Sequence, residues 1–140
     1  MTDLRPALRE LFGFDGFRPG QEAVVRAALE GVDTLAIMPT GAGKSLCYQV
    51  PAMLMPGMTV IVSPLIALMR DQFDKLSALG LEAVQVNSAI PAVDIRRARA
   101  KIGRRAVEFV FTTPEQLAAA DLRQLLADAA VDLVVIDEAH

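Results

Sequence analysis

Five short aliphatic runs punctuate the chain: TLAIMP (34–39), MTVIVSP (58–64), AVQVNS (83–88), VEFVFTT (107–113) and VDLVVID (131–137). Most are rich in Val and Ile and continuously apolar rather than alternating, the pattern of parallel strands buried on both faces. Between them the period changes to that of helices, in KSLCYQVPAMLM, PLIALMRDQFDKLSALG, PAVDIRRARAKIG and PEQLAAADLRQLLADAA. In the second of these, Leu65, Leu68, Met69, Phe73 and Leu76 fall at i, i+3, i+4 spacing, while Arg70, Asp71, Asp74 and Lys75 take the other side. Two more helical stretches, about residues 2–12 and 19–30, precede the first strand and are parted by GFDGFRPG. Strands alternating with helices predict a three-layer α/β fold with a mainly parallel sheet and right-handed crossovers. With no repeat, linker or low-complexity tract, the chain reads as one unit.

Composition narrows this picture. A chain of 140 residues, 53% hydrophobic but only 5% aromatic, can build one core, and aliphatic side chains must fill it. No apolar run approaches the roughly 20 residues that cross a bilayer, and MTDLRPALRE is too charged for a secretory signal, so a cytoplasmic location without membrane contact is expected. Cys47, the single cysteine, has no partner for a disulfide or a zinc site and reads as a small core hydrophobe. A net charge of −3 and a pI near 5.1 exclude a surface that traps nucleic acid everywhere, so any such contact must be local. The basic stretch IRRARAKIGRR (95–105) reads as a solvated helix face, with a DNA track as the alternative.

Two motifs carry chemistry. MPTGAGKS (38–45) lies where a strand gives way to a helix, the arrangement a phosphate cradle needs: Gly41 and Gly43 admit close backbone approach, and the helix start adds partial positive charge. Lys44 then reaches the β and γ phosphates of a nucleotide, and the Ser45 hydroxyl is a magnesium ligand. Met38 stands where the strict pattern has its first glycine, and a glycine turn capping a helix is the plain structural alternative. The second motif is the acidic line that ends VDLVVIDEAH. A strand ending in Asp137 and Glu138 delivers two carboxylates to the C-terminal edge of a parallel sheet, the ligand-binding edge of open α/β folds. Asp137 is expected to hold magnesium and Glu138 to orient and deprotonate the attacking water. A lone DEAH is equally a solvated chain end; the phosphate loop upstream is what favours the catalytic reading.

The order GFDGFRPGQ, MPTGAGKS, VSPLIALMRDQ, FTTPEQL, VIDEAH resembles superfamily 2 helicases, and specifically the first half of RecQ-like ATP-dependent DNA helicases, from about Leu8 to His140. The resemblance implies the P-loop NTPase (RecA-like) fold, with residues 1–31 a helical adenine-recognition segment and 32–140 the α/β core. It accommodates Met38, since Met-Pro-Thr often precedes the glycines in that family. It implies that Phe14 stacks on adenine, Gln21 reads the adenine edge and Arg18 helps hold the nucleotide, with Thr40, Gly41, Ala42, Gly43, Lys44, Ser45 and Leu46 around its phosphates. Read from the residues alone, Phe12, Phe14 and Phe17 are a core cluster. Lys44, Asp137, Glu138 and His140 form the catalytic set that the family motifs imply.

By the same resemblance Ser63, Pro64 and Leu65, together with Thr112 and Thr113 ahead of Pro114 and Glu115, touch DNA. Ordinary helix capping, with Pro64 and Pro114 at first helical positions, explains the same residues. Thr112 and Thr113 depart from the residues common in the family.

RecQ-like chains continue after DEAH with a strand that lies between the phosphate-loop strand and the DEAH strand, and with a second RecA-like domain bearing an arginine finger. The sequence is therefore expected to be an N-terminal fragment, its sheet incomplete at the C-terminus with a central gap, able to bind ATP and magnesium but not to unwind DNA alone. The expected parent is a 3′ to 5′ helicase of repair or recombination that acts on single strands and junctions. Two rivals stand beside it: a non-catalytic ATP- or DNA-binding module, and an RNA helicase of the wider superfamily.

Overall fold

The computed structural model describes residues 3–38 and 43–137. The chain divides into two compact units, Met1–Met55 and Pro56–His140.

The first unit holds three helices, α1 (Arg5–Phe12), α2 (Gln21–Leu29) and α3 (Lys44–Leu54). Pro6 sits in the first turn of α1, where a missing N–H costs nothing. Leu4, Leu8, Val25, Leu46 and Val50 form the core, with Phe12, Phe17 and Leu29 packed against it. The phenylalanines thus divide: Phe12 and Phe17 support the core, while Phe14 is 52% exposed.

The strand expected over 34–39 is not formed across 34–38, which has no regular structure; Leu35 and Ile37 are 80% and 89% exposed. Its apolar composition is that of a buried strand. A strand exists only with a partner for its N–H and C=O groups, and no described residue pairs with this segment.

The second unit contains β1 (Met58–Val62), α4 (Ile66–Ala78), β2 (Ala83–Val86), α5 (Ala92–Gly103), β3 (Phe109–Thr112), α6 (Pro114–Ala118), α7 (Ala120–Asp128) and β4 (Val131–Ile136). The four strands form a parallel sheet in the order β2-β3-β1-β4. One face, carrying Met58, Val60, Val62, Val84, Val86 and Val110, packs on Ala98 and Ile102 of α5 and Leu122 and Leu126 of α7. The opposite face presents Thr59, Ile61, Phe109 and Phe111, also buried. Burial on both faces accounts for the unbroken apolar runs of β1 and β3.

β4 is the sheet's edge and alternates half-buried with exposed residues. Its pairing with β1 slips by one residue near its start: Met58 faces Val131, but Thr59 faces Leu133. Asp132 is the extra residue of this bulge, and its carboxylate accepts the N–H of Gly57 at 2.6 Å. A side chain at Gly57 would meet that carboxylate at the same distance, so glycine is required there.

Two helical boundaries differ from expectation. α4 begins at Ile66, two residues beyond Pro64, because the Ser63 hydroxyl accepts the Leu65 N–H at 3.2 Å and holds an extended turn first. Leu65 and Leu68 are 43% and 48% exposed, so the buried stripe of α4 is Met69 and Leu76. The stretch after Pro114 is broken into α6 and α7 at Ala119, whose ψ of 129° is extended.

Candidate functional site

The end of the phosphate loop is built around Gly43, which caps α3 at φ 76°, a left-handed conformation natural to glycine. A Cβ at this position would collide with the side-chain amide of Gln21. Gln21 is 2% exposed; its Oε1 accepts the Arg18 N–H at 2.7 Å and its Nε2 donates to the Gly43 carbonyl at 3.0 Å. The glutamine of FRPGQ is thereby a bridge between its own loop and the phosphate loop's end.

Lys44 and Ser45 open α3 and are half-buried, where the helix N-terminus favours an anion, and Leu46 is buried behind them. Phe14 and Arg18 are exposed. Cys47 is buried in α3, its sulfur 3.7 Å from that of Met38, and burial pushes its thiol pKa up. Thr40, Gly41, Ala42, Glu138 and His140 lie outside the described residues.

In the second unit the parallel sheet brings Ser63, Asn87, Thr113 and Asp137 to one edge, since each directly follows its strand. Backbone bonds extend the ladder past the strands: Ser63 N–H donates to Thr112 O at 3.0 Å, and Asp137 N–H to Val62 O at 2.9 Å. Asp137 is half-buried at this edge. The hydroxyl of Thr112 is fully buried and donates to Val86 O at 2.8 Å, whereas Thr113 caps α6 by accepting the Gln116 N–H at 3.3 Å. Pro64 and Leu65 are exposed. Sequence reasoning missed Asn87, whose Oδ1 accepts the Ala89 N–H at 2.9 Å and shapes the exit from β2; an Asn directly after a strand was the available signal.

Among the described residues no three His, Cys, Asp or Glu side chains converge as a metal site. Magnesium bound largely through phosphate and water needs no such cluster, and a hydroxyl and a carboxylate, as on Ser45 and Asp137, are the hard oxygen donors it takes. Among the described residues no helix is long and apolar enough to cross a membrane.

Residues 18–140 match the DEAD/DEAH box helicase family, and the chain belongs to it. Within that family it is RecQ-like. It is 42% identical over 133 residues to the ATP-dependent DNA helicase RecQ of Haemophilus influenzae, covering 95% of this chain and 22% of that protein. It is 40% identical over 141 residues to the probable ATP-dependent DNA helicase RecS of Bacillus subtilis, covering 100% of this chain and 28% of that one. The chain thus spans about a fifth to a quarter of the length of these curated relatives.

Among solved structures, the DUF1998 helicase MrfA bound to DNA and AMPPNP superposes with a TM-score of 0.78 at 20% identity, over 97% of this chain and 20% of that one. A hypothetical ATP-dependent RNA helicase from Sulfolobus tokodaii gives 0.68 at 22% identity, over 95% and 40%. At these identities the likeness is one of fold: the α/β architecture of RecA-like helicase domains.

Proposed function

We propose that this chain serves an ATP-dependent DNA helicase of the RecQ type that moves 3′ to 5′ in repair or recombination. The observation that carries the reading is the identity of about 40% to RecQ and RecS helicases across 95% or more of the chain. The same relatives favour DNA over RNA as the strand acted on.

In this reading Lys44, at the start of α3, holds the β and γ phosphates beside the helix dipole. Phe14 offers an exposed ring for adenine, and Arg18 an exposed cation for the nucleotide. Ser45 and Asp137 hold magnesium, which, when bound, neutralises charge building on the phosphates. Glu138 takes the proton of the attacking water. Ser63, Pro64, Leu65 and Thr113 receive the DNA backbone at the sheet edge, where Pro64 and Leu65 are exposed and the hydroxyls of Ser63 and Thr113 lie just beneath. Thr112, fully buried with its hydroxyl committed to Val86 O and its carbonyl to Ser63 N–H, acts only by positioning Thr113.

The 140 residues alone hydrolyse ATP weakly, because an arginine finger from a second RecA-like domain is worth about 10³ to 10⁵ in rate. Separation of strands needs both domains. The test is DNA-stimulated ATPase of this chain and of the complete reading frame, each with and without Lys44→Ala. DNA-stimulated hydrolysis by the complete frame far above the weak rate of this chain, and abolished by Lys44→Ala, is the expected result. Full activity in this chain by itself, or a Lys44→Ala variant that still hydrolyses, overturns the reading.

A further inference from the structure

We propose that the solvent-facing row of α5, formed by Arg96, Arg97 and Arg104, is a docking surface for the phosphate backbone of duplex DNA. The inference rests on the DNA-helicase reading and adds to it a second surface, outside the motifs that carry the chemistry.

Charge segregation is the first observation. Six of the 14 Lys and Arg residues fall between 96 and 105, a stretch with no Asp or Glu, in a chain whose net charge is −3. The fold then sorts them. Ala98 and Ile102 face the core, so the opposite side of α5 carries Arg96, Arg97 and Ala100, continued by Arg104, the helix's C-cap, all exposed. Lys101 is paired with Glu82 at 3.4 Å, and Arg105 donates to the Asp128 carbonyl at 3.1 Å. Arg97 has only a long ion pair of 3.9 Å to Asp94 and is 77% exposed. Arg96 and Arg104 have no ion pair or side-chain hydrogen bond among the described residues. Three guanidinium groups are therefore carried by α5 and its C-terminal cap, Arg104, with little to neutralise them.

Their spacing and position suit an extended polyanion. Arg96, Ala100 and Arg104 follow one another at i, i+4 and i+8, a row about 12 Å long. One strand of a duplex presents a phosphate every 3.4 Å or so along the axis, so the row faces about three. α5 follows β2, an edge strand, and begins five residues after Asn87 at the sheet's C-terminal edge. The row thus starts on the side of the sheet edge that carries Asn87, Ser63 and Thr113, on the outer side of a helix that covers one sheet face. Single-stranded tracks combine charge with aromatic platforms; α5 has no aromatic residue, and charge without stacking is what a duplex backbone asks for.

The test uses the complete protein with a labelled blunt duplex and an oligo(dT) of equal length, titrated by anisotropy between about 50 and 200 mM salt. In Arg96→Gln/Arg97→Gln/Arg104→Gln the slope of log Kobs against log salt for the duplex is expected to be shallower by about 2.7, at about 0.9 for each phosphate no longer neutralised. The affinity gap between wild type and variant then closes about 40-fold across that salt range. The slope for oligo(dT) is expected to stay as in wild type. The Lys triple variant at the same positions, which keeps the charges, should restore the duplex slope; if it does not, the inference fails.

An unchanged duplex slope overturns the proposal in favour of a solvated face or an acidic protein partner. A fall confined to oligo(dT) overturns the duplex assignment. Failure of the helicase reading is seen separately, as ATPase insensitive to Lys44→Ala.

Discussion

Replacing Gly43 with alanine tests how tightly FRPGQ is tied to the phosphate loop. At φ 76° an L-residue costs about 1–2 kcal/mol. The added Cβ also displaces the Gln21 amide, breaking its bonds to Arg18 N–H and Gly43 O and leaving buried polar groups unmet, about 1–3 kcal/mol more. Gln21→Ala alone loses the same bonds and costs about 1–3 kcal/mol. In the double variant the alanine at 43 finds space and only backbone strain is added. The two changes are therefore expected to be less than additive, by about 1–3 kcal/mol. Amide exchange of residues 16–24 and 43–54 in the complete protein reads this directly, as about 5- to 150-fold in protection. Additivity within about 0.5 kcal/mol would show that the bridge carries no energy, and the account of Gln21 would be wrong.

Thr59 is fully buried in β1 and its hydroxyl has no hydrogen-bond partner among the described residues. Thr59→Val is expected to raise local stability by about 1 kcal/mol, measured by amide exchange of β1; a loss would show that the hydroxyl is satisfied. Cys47, buried and with its thiol pKa raised, is expected to react with a disulfide reagent near neutral pH far more slowly than in urea. A native rate equal to the unfolded one would contradict its place in the core.

What the sequence disclosed depended on whether the determinant was local. β1 and β3 were legible because burial on both faces leaves an unbroken apolar run, and α5 because its period survives among many arginines. TLAIMP is as apolar as these strands, yet composition reports only what a segment can bury; pairing is decided by a partner elsewhere. The break at Ala119 was hidden because alanine favours helix on both sides of it. At the site, Lys44 opening α3 and Asp137 just past β4 followed from motif spacing. The inward bond of Gln21 did not, because an amide serves a ligand edge and a backbone carbonyl equally well. Thr112 and Thr113 are neighbours of one type, and only the strand's pleat decides that the first hydroxyl is spent inside and the second caps a helix.

The bulge at Asp132 acts as a frame-setter for the acidic line. With it, Val62 aligns with Ile136, and Asp137 is the first residue past the strand. Were Asp132 to pair in step, Val62 would align with Val135, moving Asp137 about 3.3 Å farther out and turning its carboxylate to the other face. The Gly57 N–H that clamps Asp132 lies at the end of β4 opposite Asp137, so the reading frame of the acid is written at the far end of its strand. Insertions or deletions between Val131 and Ile136 should act on this chain much as frameshifts act on a message: remote from the residues that matter, and decisive for all of them.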